Sequence, residues 1–386
     1  MQLLMIEFNF RIRKRGKLML NRKLKVLVCG STFGQFYCEC LMHYNKQFEL
    51  VGLLAGKSER SKKCAEKYGI KLYHTVTEID IHVDIACVVL RSGVMGGKGS
   101  EIALKLLEKG INVIQEQPIH YKDVENCIRI AKKQGKLYCI GDLYQYLPAV
   151  KTFIETTRLV LKEINPVYMD IGLASQVSYP LIDIISEILP SLKPFKIKNV
   201  IRDDGPFHIV TAEIGGIPTI FQVHNEVNPS EPDNYMHYLH KITVGTNGGR
   251  ICLEDTQGPV YWYNKLHFPL DVDLFSLKKE KWTSDFEKVC NLKIDELYER
   301  SYGEVFKKEW VKAISENLMY MIKLIDAGTV YQNKYYTKLV TNTRIWHQFT
   351  KALGYANLLE TVETVDIDIE KIKLEVKKNM SLTREE

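Results

Sequence analysis

The sequence predicts a two-domain α/β protein: an N-terminal Rossmann-type, doubly wound parallel sheet followed by an α+β domain with a large antiparallel sheet. The chain has 386 residues, enough for two domains that each bury a core. From Lys25 to about residue 142, short apolar runs alternate with helical segments, as in a sheet covered by helices on both faces. Beyond residue 150, strand-like segments follow one another directly, which indicates a different architecture.

The first domain is predicted over residues 23–148. Its strands are the continuous apolar runs LKVLVCG, FELVGLLA, DIACVVL, NVIQEQP and LYCIGD. A helical segment follows each of the first four strands, and three of these segments end in Gly69, Gly110 and Gly135. Glycine favours a helix C-terminus because it adopts the left-handed conformation without a steric cost. Right-handed crossovers would then assemble five strands into a doubly wound sheet.

The second domain is predicted over residues 149–365. Strand-like segments from VYMDIGLAS to VYWYN are separated by turns that contain Gly-Gly and Asn-Gly-Gly, the pattern of an antiparallel meander. Helices are expected at about 148–162, around PLIDIISEIL, at 302–325 and at 341–359. The charged segment 366–386 is expected to be a loose C-terminal tail.

The positive charge of the chain is concentrated at its N-terminus. Residues 1–22 hold six Lys or Arg and one acid, and so contribute +5 of the formal net charge of +6. The tract lacks the apolar run and cleavage site of a signal peptide and is predicted to be a disordered extension, with Met1 or Met19 as the translation start. A basic tail could instead contact nucleic acid or anionic lipid. The rest of the chain is nearly neutral, and no nucleic-acid or membrane partner is expected. No apolar run reaches the ~18–20 residues of a membrane span.

The nine cysteines indicate neither disulfides nor a metal site. None forms a CxxC pair or has the Cys/His spacing of a zinc site, and several, such as Cys29 and Cys87, lie within apolar strands. Free cysteines of this kind are typical of a reducing compartment. The sequence therefore predicts a cytoplasmic protein without a bound metal.

A phosphate-binding turn is predicted where the first strand leads through Gly30-Ser31-Thr32-Phe33-Gly34 directly into a helix. Glycine at the strand end permits a tight turn and a close approach of the backbone to a ligand. The helix N-terminus offers free N–H groups to a pyrophosphate. The full GxGxxG fingerprint is absent, but the position after the first strand of an alternating series favours a dinucleotide.

The second strand is followed by Lys57, Ser58, Arg60 and Ser61, with no acid at the strand end. Sites that prefer NAD place Asp or Glu there to hold the ribose 2′-hydroxyl. Cations and hydroxyls suit a dianionic 2′-phosphate instead, so the sequence favours NADPH over NADH. Ser58 can also serve as the N-cap of the next helix, and the two roles are compatible.

Two further strand ends are expected to line the nicotinamide side of the crevice, because the carboxyl ends of parallel strands border the ligand. Arg91 and Ser92 follow the run DIACVVL of the third strand, and Glu116 and Gln117 follow the run NVIQ of the fourth. An ion pair with an exposed acid is the alternative role for Arg91.

The order of a GxxxG turn, Glu116-Gln117-Pro118 and an antiparallel second domain resembles the glucose–fructose oxidoreductase/inositol dehydrogenase (Gfo/Idh/MocA-like) superfamily. That superfamily usually has Glu-Lys-Pro, and its lysine assists proton transfer from a sugar hydroxyl. Here Gln117 stands at the lysine position, and the usual histidine near Asp183 is also missing. A sugar dehydrogenase is therefore disfavoured, because neither candidate base is in place.

Residues 25–148 more closely resemble the thiazolinyl imine reductases of siderophore biosynthesis (yersiniabactin/pyochelin-type). Stretches that carry this resemblance include KVLVCGSTFGQFY, GINVIQEQPIH and IGDLYQYLP. The resemblance implies that NADPH reduces a thiazoline C=N to a thiazolidine while the intermediate stays on a nonribosomal peptide synthetase carrier domain. It further implies a homodimer without a metal.

The resemblance also implies two proton donors, a tyrosine after the fifth strand and a histidine after the Glu of the E-x-P motif. The tyrosine corresponds to Tyr144, whereas the histidine position is Gln117, which is expected to position the nicotinamide or the substrate. His120 is the second candidate donor because an imidazole titrates near neutral pH. A packing role for Tyr144 and a helix-cap role for His120 are the alternatives. The glycine-rich stretch 93–99 is expected to admit a pantetheine-linked substrate.

Two other functions stay open on the sequence. One is another NADP-dependent oxidoreductase of the same superfamily, acting on a different C=N or C=O substrate. The other is an NADP(H) sensor without catalysis, which the missing lysine would fit. Tyr144 and the long match through residue 148 argue against the sensor.

Overall fold

The computed structural model describes residues 22–90, 97–202, 205–267, 288–362 and 364–382. Within them, a parallel sheet with helices is followed by a large, mainly antiparallel sheet with helices, so the predicted fold class is confirmed. The predicted N-terminal extension lies outside the described residues except for Arg22.

The first sheet has six parallel strands in the order β3-β2-β1-β4-β5-β6. Their bounds are β1 Leu24–Cys29, β2 Phe48–Leu54, β3 Leu72–Tyr73, β4 Ile85–Val88, β5 Asn112–Glu116 and β6 Tyr138–Gly141. Four helices lie between these strands, namely α1 Gly34–His43, α2 Glu59–Tyr68, α3 Lys98–Glu108 and α4 Tyr121–Lys133. The prediction of five strands was one short, because β3 has only two residues and shows no apolar run.

The strand order reverses its direction between the neighbouring strands β1 and β4. Doubly wound sheets bind their ligands at such a point. The strands are buried on both faces, as their continuous apolar runs predict: Val26, Leu27 and Val28 are fully buried. The carboxyl ends of β1, β2, β4, β5 and β6 therefore border one crevice.

The second sheet has eight strands in the order β15-β14-β13-β12-β7-β10-β9-β8. Their bounds are β7 Pro166–Ala174, β8 Phe195–Ile201, β9 Phe207–Ile214, β10 Ile217–His224, β12 His240–Thr246, β13 Gly249–Leu253, β14 Val260–Asn264 and β15 Asn291–Lys293. β11 Glu226–Val227 and β16 Asn357–Leu358 form a separate pair. The predicted meander is wrong at one point, since the central strands β7 and β10 run parallel. Helices and β8–β9 separate these two strands in sequence, so local turn signals do not reveal their pairing.

The helices of the second domain are α5 Pro148–Glu163, α6 Ser178–Ile188, α7 Tyr302–Glu304, α8 Val311–Ala327, α9 Thr329–Leu353 and α10 Ile369–Leu382, with a π-helical segment Val305–Trp310 before α8. The helix predicted at 341–359 begins earlier and ends earlier than expected. Its first turns are rich in β-branched and aromatic residues of low helix propensity, and burial of Tyr336 and Leu339 offsets that disadvantage. The predicted C-terminal tail from residue 366 contains α10, whose described side chains are exposed.

One face of the second sheet is covered by helices and the other is open. Burial alternates along β9 and β10, so every second side chain lies on the covered face. On the open face, Ile220 is 49% exposed and Tyr168 is 40% exposed. The open face is therefore a broad surface with apolar side chains.

The two domains are joined along β6, the edge strand of the first sheet. The backbone N–H groups of three alternate residues, in β6 and directly after it, donate hydrogen bonds to side chains of α8 and α9. These bonds run from Tyr138 to Tyr336 Oη (3.2 Å), from Ile140 to Tyr335 Oη (3.0 Å) and from Asp142 to Asn317 Oδ1 (3.2 Å). An edge strand otherwise leaves such groups free to pair with other chains. Here they attach the second domain to the first.

Other sequence expectations concern cysteines, metals and membranes. All nine cysteines are free, and only Cys290 is exposed. Among the residues with described positions, no group of three or more His, Cys, Asp or Glu side chains is arranged to hold a metal ion. None of the helices in that part of the chain combines the length and hydropathy of a membrane span.

Candidate active site

The turn after β1 has the geometry of a phosphate-binding turn. Gly30 adopts φ +108°, and a Cβ atom there would lie 2.3 Å from the carbonyl oxygen of Val89. Only glycine fits this position. Helix α1 begins at Gly34 without a side-chain cap and without an acid in its first turn, so no side chain competes with an anion at its N-terminus. These features fit a dinucleotide pyrophosphate.

The serines predicted to bind the ribose side have structural bonds as well. Ser58 is the N-cap of α2, and its Oγ lies 2.9 Å from Ser61 Oγ. Ser61 Oγ in turn lies 3.0 Å from Ser31 Oγ, and Ser61 is only 2% exposed. The hydroxyls of Ser31 and Ser61 therefore connect the phosphate-binding turn to α2, and Ser58 has the N-cap role that the sequence suggested.

A cationic cleft of about 350 Å³ lies between α1 and α2. It is lined by Gln35, Glu59, Arg60, Lys63, Cys64 and Lys67. Lys67 Nζ is bound to Glu39 Oε1 at 2.5 Å, whereas Arg60 and Lys63 have no ion-pair partner among the described residues. Sequence reasoning missed Lys63, although its spacing of three residues from Arg60 places both on one helix face.

Of the remaining predicted cofactor residues, three have described positions and two do not. Thr32 and Lys57 are exposed at the ends of β1 and β2, and Phe33 is half-buried against Trp310 with a ring separation of 5.7 Å. Arg91 and Ser92 lie outside the described residues, as does most of the glycine-rich stretch 93–99.

Glu116, at the end of β5, is held as a buried acid. Its carboxyl group accepts a hydrogen bond from the hydroxyl of Tyr37 on α1. Burial raises the pKa of Glu116 to about 8, although the Tyr37 hydrogen bond acts in the opposite direction. The side chain is therefore mostly uncharged at neutral pH.

Gln117 follows Glu116 and has an unused acceptor. Its N–H donates to the carbonyl oxygen of Gly141 at 3.2 Å, which ties the end of β5 to the end of β6. Its side-chain Oε1 is buried and accepts no hydrogen bond from the described part of the chain. A buried, unpaired acceptor is costly, and an amide N–H of a bound nicotinamide or substrate would satisfy it.

His120 is placed as a helix cap. It is the N-cap of α4, with Nδ1 3.3 Å from the N–H of Lys122, and its ring lies 5.1 Å from that of His347 on α9. None of these contacts involves Tyr144. The geometry favours the helix-cap alternative for His120.

Tyr144 begins a 3₁₀ turn directly after β6, and Asp142 fixes that turn. The N–H of Tyr144 donates to Asp142 Oδ1 at 2.9 Å, and Asp142 is 1% exposed. The N–H of Asp142 is bound to Asn317 on α8, as described above. The backbone of Tyr144 is thus set by the first domain and by a helix of the second.

The phenol ring of Tyr144 is set by His240 of the second sheet. The rings meet edge to face, with centroids 5.3 Å apart and an interplanar angle of 90°. His240 is fully buried, with Nδ1 2.9 Å from Thr256 Oγ1 and Nε2 2.8 Å from the carbonyl oxygen of Val177. Burial lowers the pKa of His240 to about 4, so it is a neutral imidazole with both nitrogens engaged.

The Tyr144 phenol is kept in its protonated form. Burial raises its pKa above the ordinary value, and the nearby acids Asp142, Glu116 and Asp233 raise it further. Within the described structure its hydroxyl has no hydrogen-bond partner. A protonated hydroxyl of this kind can donate a hydrogen bond or a proton to a ligand.

Family models match parts of both domains. Residues 24–142 match the family described as "Oxidoreductase family, NAD-binding Rossmann fold" (GFO_IDH_MocA). Residues 164–263 match "Thiazolinyl imine reductase Irp3-like, C-terminal", the segment that contains His240 and Thr256. No curated protein sequence matches the chain.

Solved structures with the same fold have low sequence identity. GenD2 from gentamicin A biosynthesis, in complex with NAD, has 13% identity and a TM-score of 0.59, covering 86% of this chain and 95% of its own. UDP-N-acetylglucosamine 3-dehydrogenase GnnA from Acidithiobacillus ferrooxidans has 11% identity and a TM-score of 0.58 over 86% and 99%. Biliverdin reductase from Synechocystis sp. PCC 6803, in complex with biliverdin and NADP+, has 12% identity and a TM-score of 0.56 over 86% and 99%. These similarities concern the fold.

The buried acid at Glu116 gives the cofactor-free protein a measurable pH dependence. Between the ordinary pKa of 4.5 and the folded value of about 8, the unfolded chain loses a proton that the folded chain retains. The free energy of unfolding therefore falls as pH rises through this window. In Glu116→Gln, which keeps an acceptor for Tyr37, we expect this fall to shrink by on the order of 2 kcal/mol in denaturant titrations between pH 5 and 8. Glu163→Gln, an exposed control, should follow the wild type, and equal slopes for all three proteins would show that Glu116 is not a buried neutral acid.

Proposed function

We propose an imine reductase, on the premise that the chain belongs to the NAD-binding Rossmann oxidoreductase family (GFO_IDH_MocA) and has a second domain of the Irp3-like thiazolinyl imine reductase type. The reaction is the NADPH-dependent reduction of a thiazoline C=N to a thiazolidine. The observation that carries the proposal is the position of Tyr144, a protonated phenol of the first domain whose ring packs against His240 of the second.

The reaction needs a hydride at carbon and a proton at nitrogen, and NADPH supplies the hydride when it is bound. The turn at Gly30 and the N-terminus of α1 would hold the pyrophosphate. Gln117 would accept a hydrogen bond from the nicotinamide amide or the substrate through its free Oε1. Tyr144 would hold the proton at its hydroxyl and donate it to the ring nitrogen.

Gln117 stands where the superfamily usually has lysine, and this supports reduction of a C=N bond over oxidation of a sugar carbinol. Oxidation of a carbinol requires a base, and Gln117 cannot accept a proton at neutral pH. Reduction of an imine requires an acid, which Tyr144 provides. A different C=N substrate in the same site is the second candidate, because the geometry of Tyr144 would serve it equally.

The cleft between α1 and α2 supports NADPH as the reductant. Arg60 and Lys63 lie on the same face of α2, at the ribose side of the crevice, and are available to a 2′-phosphate. The negative charge of Glu59 in the same cleft repels an anion. The preference for NADPH therefore depends on Arg60 and Lys63.

The proposal includes partners and a compartment. The substrate would be a pantetheine-bound thiazoline on a peptide synthetase carrier domain, in the cytoplasm, where NADPH is the common reductant and buried thiols stay reduced. The open face of the second sheet, with Tyr168 and Ile220 exposed, would pair with a second copy of the chain.

The test of the reaction is NADPH consumption with a synthetic 2-(2-hydroxyphenyl)thiazoline thioester or ester analogue. We expect oxidation of NADPH with formation of the thiazolidine. A protein that binds NADPH and reduces no thiazoline, free or carrier-bound, would contradict the proposal while leaving the oxidoreductase family unaffected.

Arg60→Ala should weaken the preference for NADPH. Loss of a charge-assisted bond to the 2′-phosphate is expected to raise the Kd for NADPH by roughly 10-fold or more and to leave the Kd for NADH nearly unchanged. The measurement is fluorescence titration with both cofactors. Arg129→Ala, an exposed arginine on α4, is the matched control. Equal changes for the two cofactors would remove Arg60 from the 2′-phosphate site.

Tyr144→Phe should remove the proton donor and leave the cofactor site intact. Because phenylalanine preserves the ring that packs on His240, we expect turnover to fall roughly 10²- to 10⁴-fold, the usual size of an acid–base contribution, with an unchanged Kd for NADPH. Single-turnover NADPH oxidation with the thiazoline analogue measures this directly. A variant that keeps most of the wild-type turnover would show that another group donates the proton.

A further inference from the structure

A cavity of about 480 Å³ in the second domain has no part in the proposed reaction. Its volume lies in the range of small-molecule sites. One wall is the turn 255–259 between β13 and β14, here named the β13–β14 turn. The other wall is the segment 293–305, which runs from β15 to the start of the π-helical segment.

The β13–β14 turn packs against the elements that position Tyr144. Thr256 lies within this turn, and its Oγ1 is 2.9 Å from Nδ1 of His240, whose ring meets the ring of Tyr144. In the same turn, a Cβ atom at Gly258 would lie 3.3 Å from the Cβ atom of Ala149 in the first turn of α5. Because α5 begins two residues after the 3₁₀ turn of Tyr144, the cavity lies next to the proposed proton donor.

The second wall leads to the phosphate-binding turn. Val305 lines the cavity and begins the π-helical segment, which ends at Trp310. The ring of Trp310 lies 5.7 Å from that of Phe33, in the phosphate-binding turn, and 5.2 Å from that of Phe36 in α1. The cavity is therefore flanked by the elements that carry the proposed proton donor and by those that carry the predicted cofactor turn.

Two carboxylates build the walls of the cavity. The side chain of Asp295 is 1% exposed and accepts a hydrogen bond from the N–H of Val260. Asp255 accepts the N–H groups of Gln257 at 3.2 Å and Leu239 at 3.3 Å. Both carboxylates thus fix the backbone of the walls, and their negative charge opposes an anionic ligand.

Arg300 offers hydrogen-bond donors at the cavity, and its side chain is only 9% exposed. Nη1 donates to the carbonyl oxygen of Tyr298 at 2.9 Å and Nη2 to that of Gln257 at 2.7 Å, while Nε lies 2.6 Å from Glu309 Oε1. A guanidinium has five N–H groups, so each terminal nitrogen keeps one N–H without a partner among the residues that the structure describes. Because Glu309 compensates the positive charge, these N–H groups suit a neutral carbonyl oxygen better than an anion.

Gln257 supplies a hydrogen-bond acceptor beside Arg300. It lines the cavity, and its side-chain Oε1 is buried and accepts no hydrogen bond from the residues with described positions. A buried acceptor of this kind takes a hydrogen bond from water or from an N–H group of a ligand. Arg300 and Gln257 together therefore complement the C=O and N–H groups of a chain that contains secondary amides.

Two tyrosines present exposed rings at the cavity. Tyr298 is 70% exposed and Tyr302 is 75% exposed, and both line the cavity. The ring of Tyr302 is stacked on that of Phe306 at a centroid distance of 5.9 Å. Exposed aromatic rings provide apolar area for the aliphatic parts of such a chain.

We propose that this cavity binds the pantetheine arm of the carrier-bound substrate, with Arg300 donating to an amide carbonyl and Gln257 accepting from an amide N–H. The inference rests on the proposed function, in which the thiazoline stays attached to that arm through a thioester. The arm is neutral between its thioester and its phosphate, and it contains two secondary amides. With the thiazoline at Tyr144, the arm would follow the β13–β14 turn past Gln257 and Arg300, and the phosphate would stay outside the acid-lined cavity.

The test compares two thioesters of the same 2-arylthiazoline-4-carboxylic acid, one with pantetheine and one with ethanethiol. Isothermal titration calorimetry with the protein saturated with NADP+ gives both affinities without reduction of the ring. We expect the wild type to bind the pantetheine thioester roughly 10-fold more tightly or better, because the ethyl thioester makes neither amide hydrogen bond. Equal affinities of the wild type for the two thioesters would overturn the inference.

Variants of the two polar residues assign the preference to this cavity. Gln257→Met keeps the length of the side chain without the acceptor, and Arg300→Lys keeps the charge beside Glu309 with fewer donors. Each should lower the pantetheine-to-ethyl affinity ratio by roughly 5-fold, the effect of one hydrogen bond. Gln348→Met, at an exposed position on α9, is the control and should leave the ratio unchanged.

A purely structural role would weaken the binding of both thioesters equally, so an unchanged ratio in both variants would also overturn the inference. An unchanged Kd for NADPH shows that each variant is folded. S-methyl pantetheine, which carries no thiazoline, separates this inference from the proposed function. Its binding should depend on Gln257 in NMR titrations even if the wild type reduces no thiazoline, whereas reduction of the ethyl thioester without any preference for the arm would contradict only the inference.

Discussion

The structure depends on the hydrogen bonds that satisfy the backbone N–H groups of β6, the edge strand of its first sheet. A parallel sheet that ends in β6 presents free backbone N–H groups along that edge, and burying them unpaired would be costly. The hydroxyls of Tyr335 and Tyr336 and the amide of Asn317 accept these hydrogen bonds. This arrangement joins helices from the last third of the chain to the nucleotide-binding sheet and fixes the relative position of the two domains at the point where Tyr144 emerges.

Tyr144 owes its properties to both domains. The first domain places its backbone through Asp142, and the second places its ring through His240, which burial keeps neutral. Burial and nearby acids make loss of the phenolic proton unfavourable, so the phenol stays protonated at neutral pH. A site with this polarity suits a reaction that consumes a proton at a weakly basic nitrogen, and suits poorly one that removes a proton from a hydroxyl.

The nucleotide-binding half was predictable because its signals are local. Continuous apolar strands, glycine-terminated helices and the Gly30 turn each follow from a few adjacent residues, and the predicted fold class is confirmed. β3 escaped detection because two residues form no pattern. The parallel pairing of β7 with β10 escaped because it joins strands far apart in sequence. Helix α9 was placed too late because its first turns have low intrinsic helix propensity.

The site was predictable only in part, since its functional groups come from separate strands and loops. Tyr144 was identified through the resemblance and not through any local pattern. No sequence signal pairs His240 with a tyrosine almost a hundred residues away. Ser31 and Ser61 bond to each other, which requires the folded β1 and β2 ends side by side.

The hydrogen bonds that complete β6 also bear on how the protein is made. The strand is synthesised long before Asn317, Tyr335 and Tyr336 leave the ribosome, so the edge of the nascent first sheet lacks these partners for about half of translation. Open edges pair readily with other chains, and such intermediates are prone to aggregate. Successful folding in the cell therefore depends on the arrival of the C-terminal helices, and a nascent chain that stalls between the two regions would need protection by chaperones.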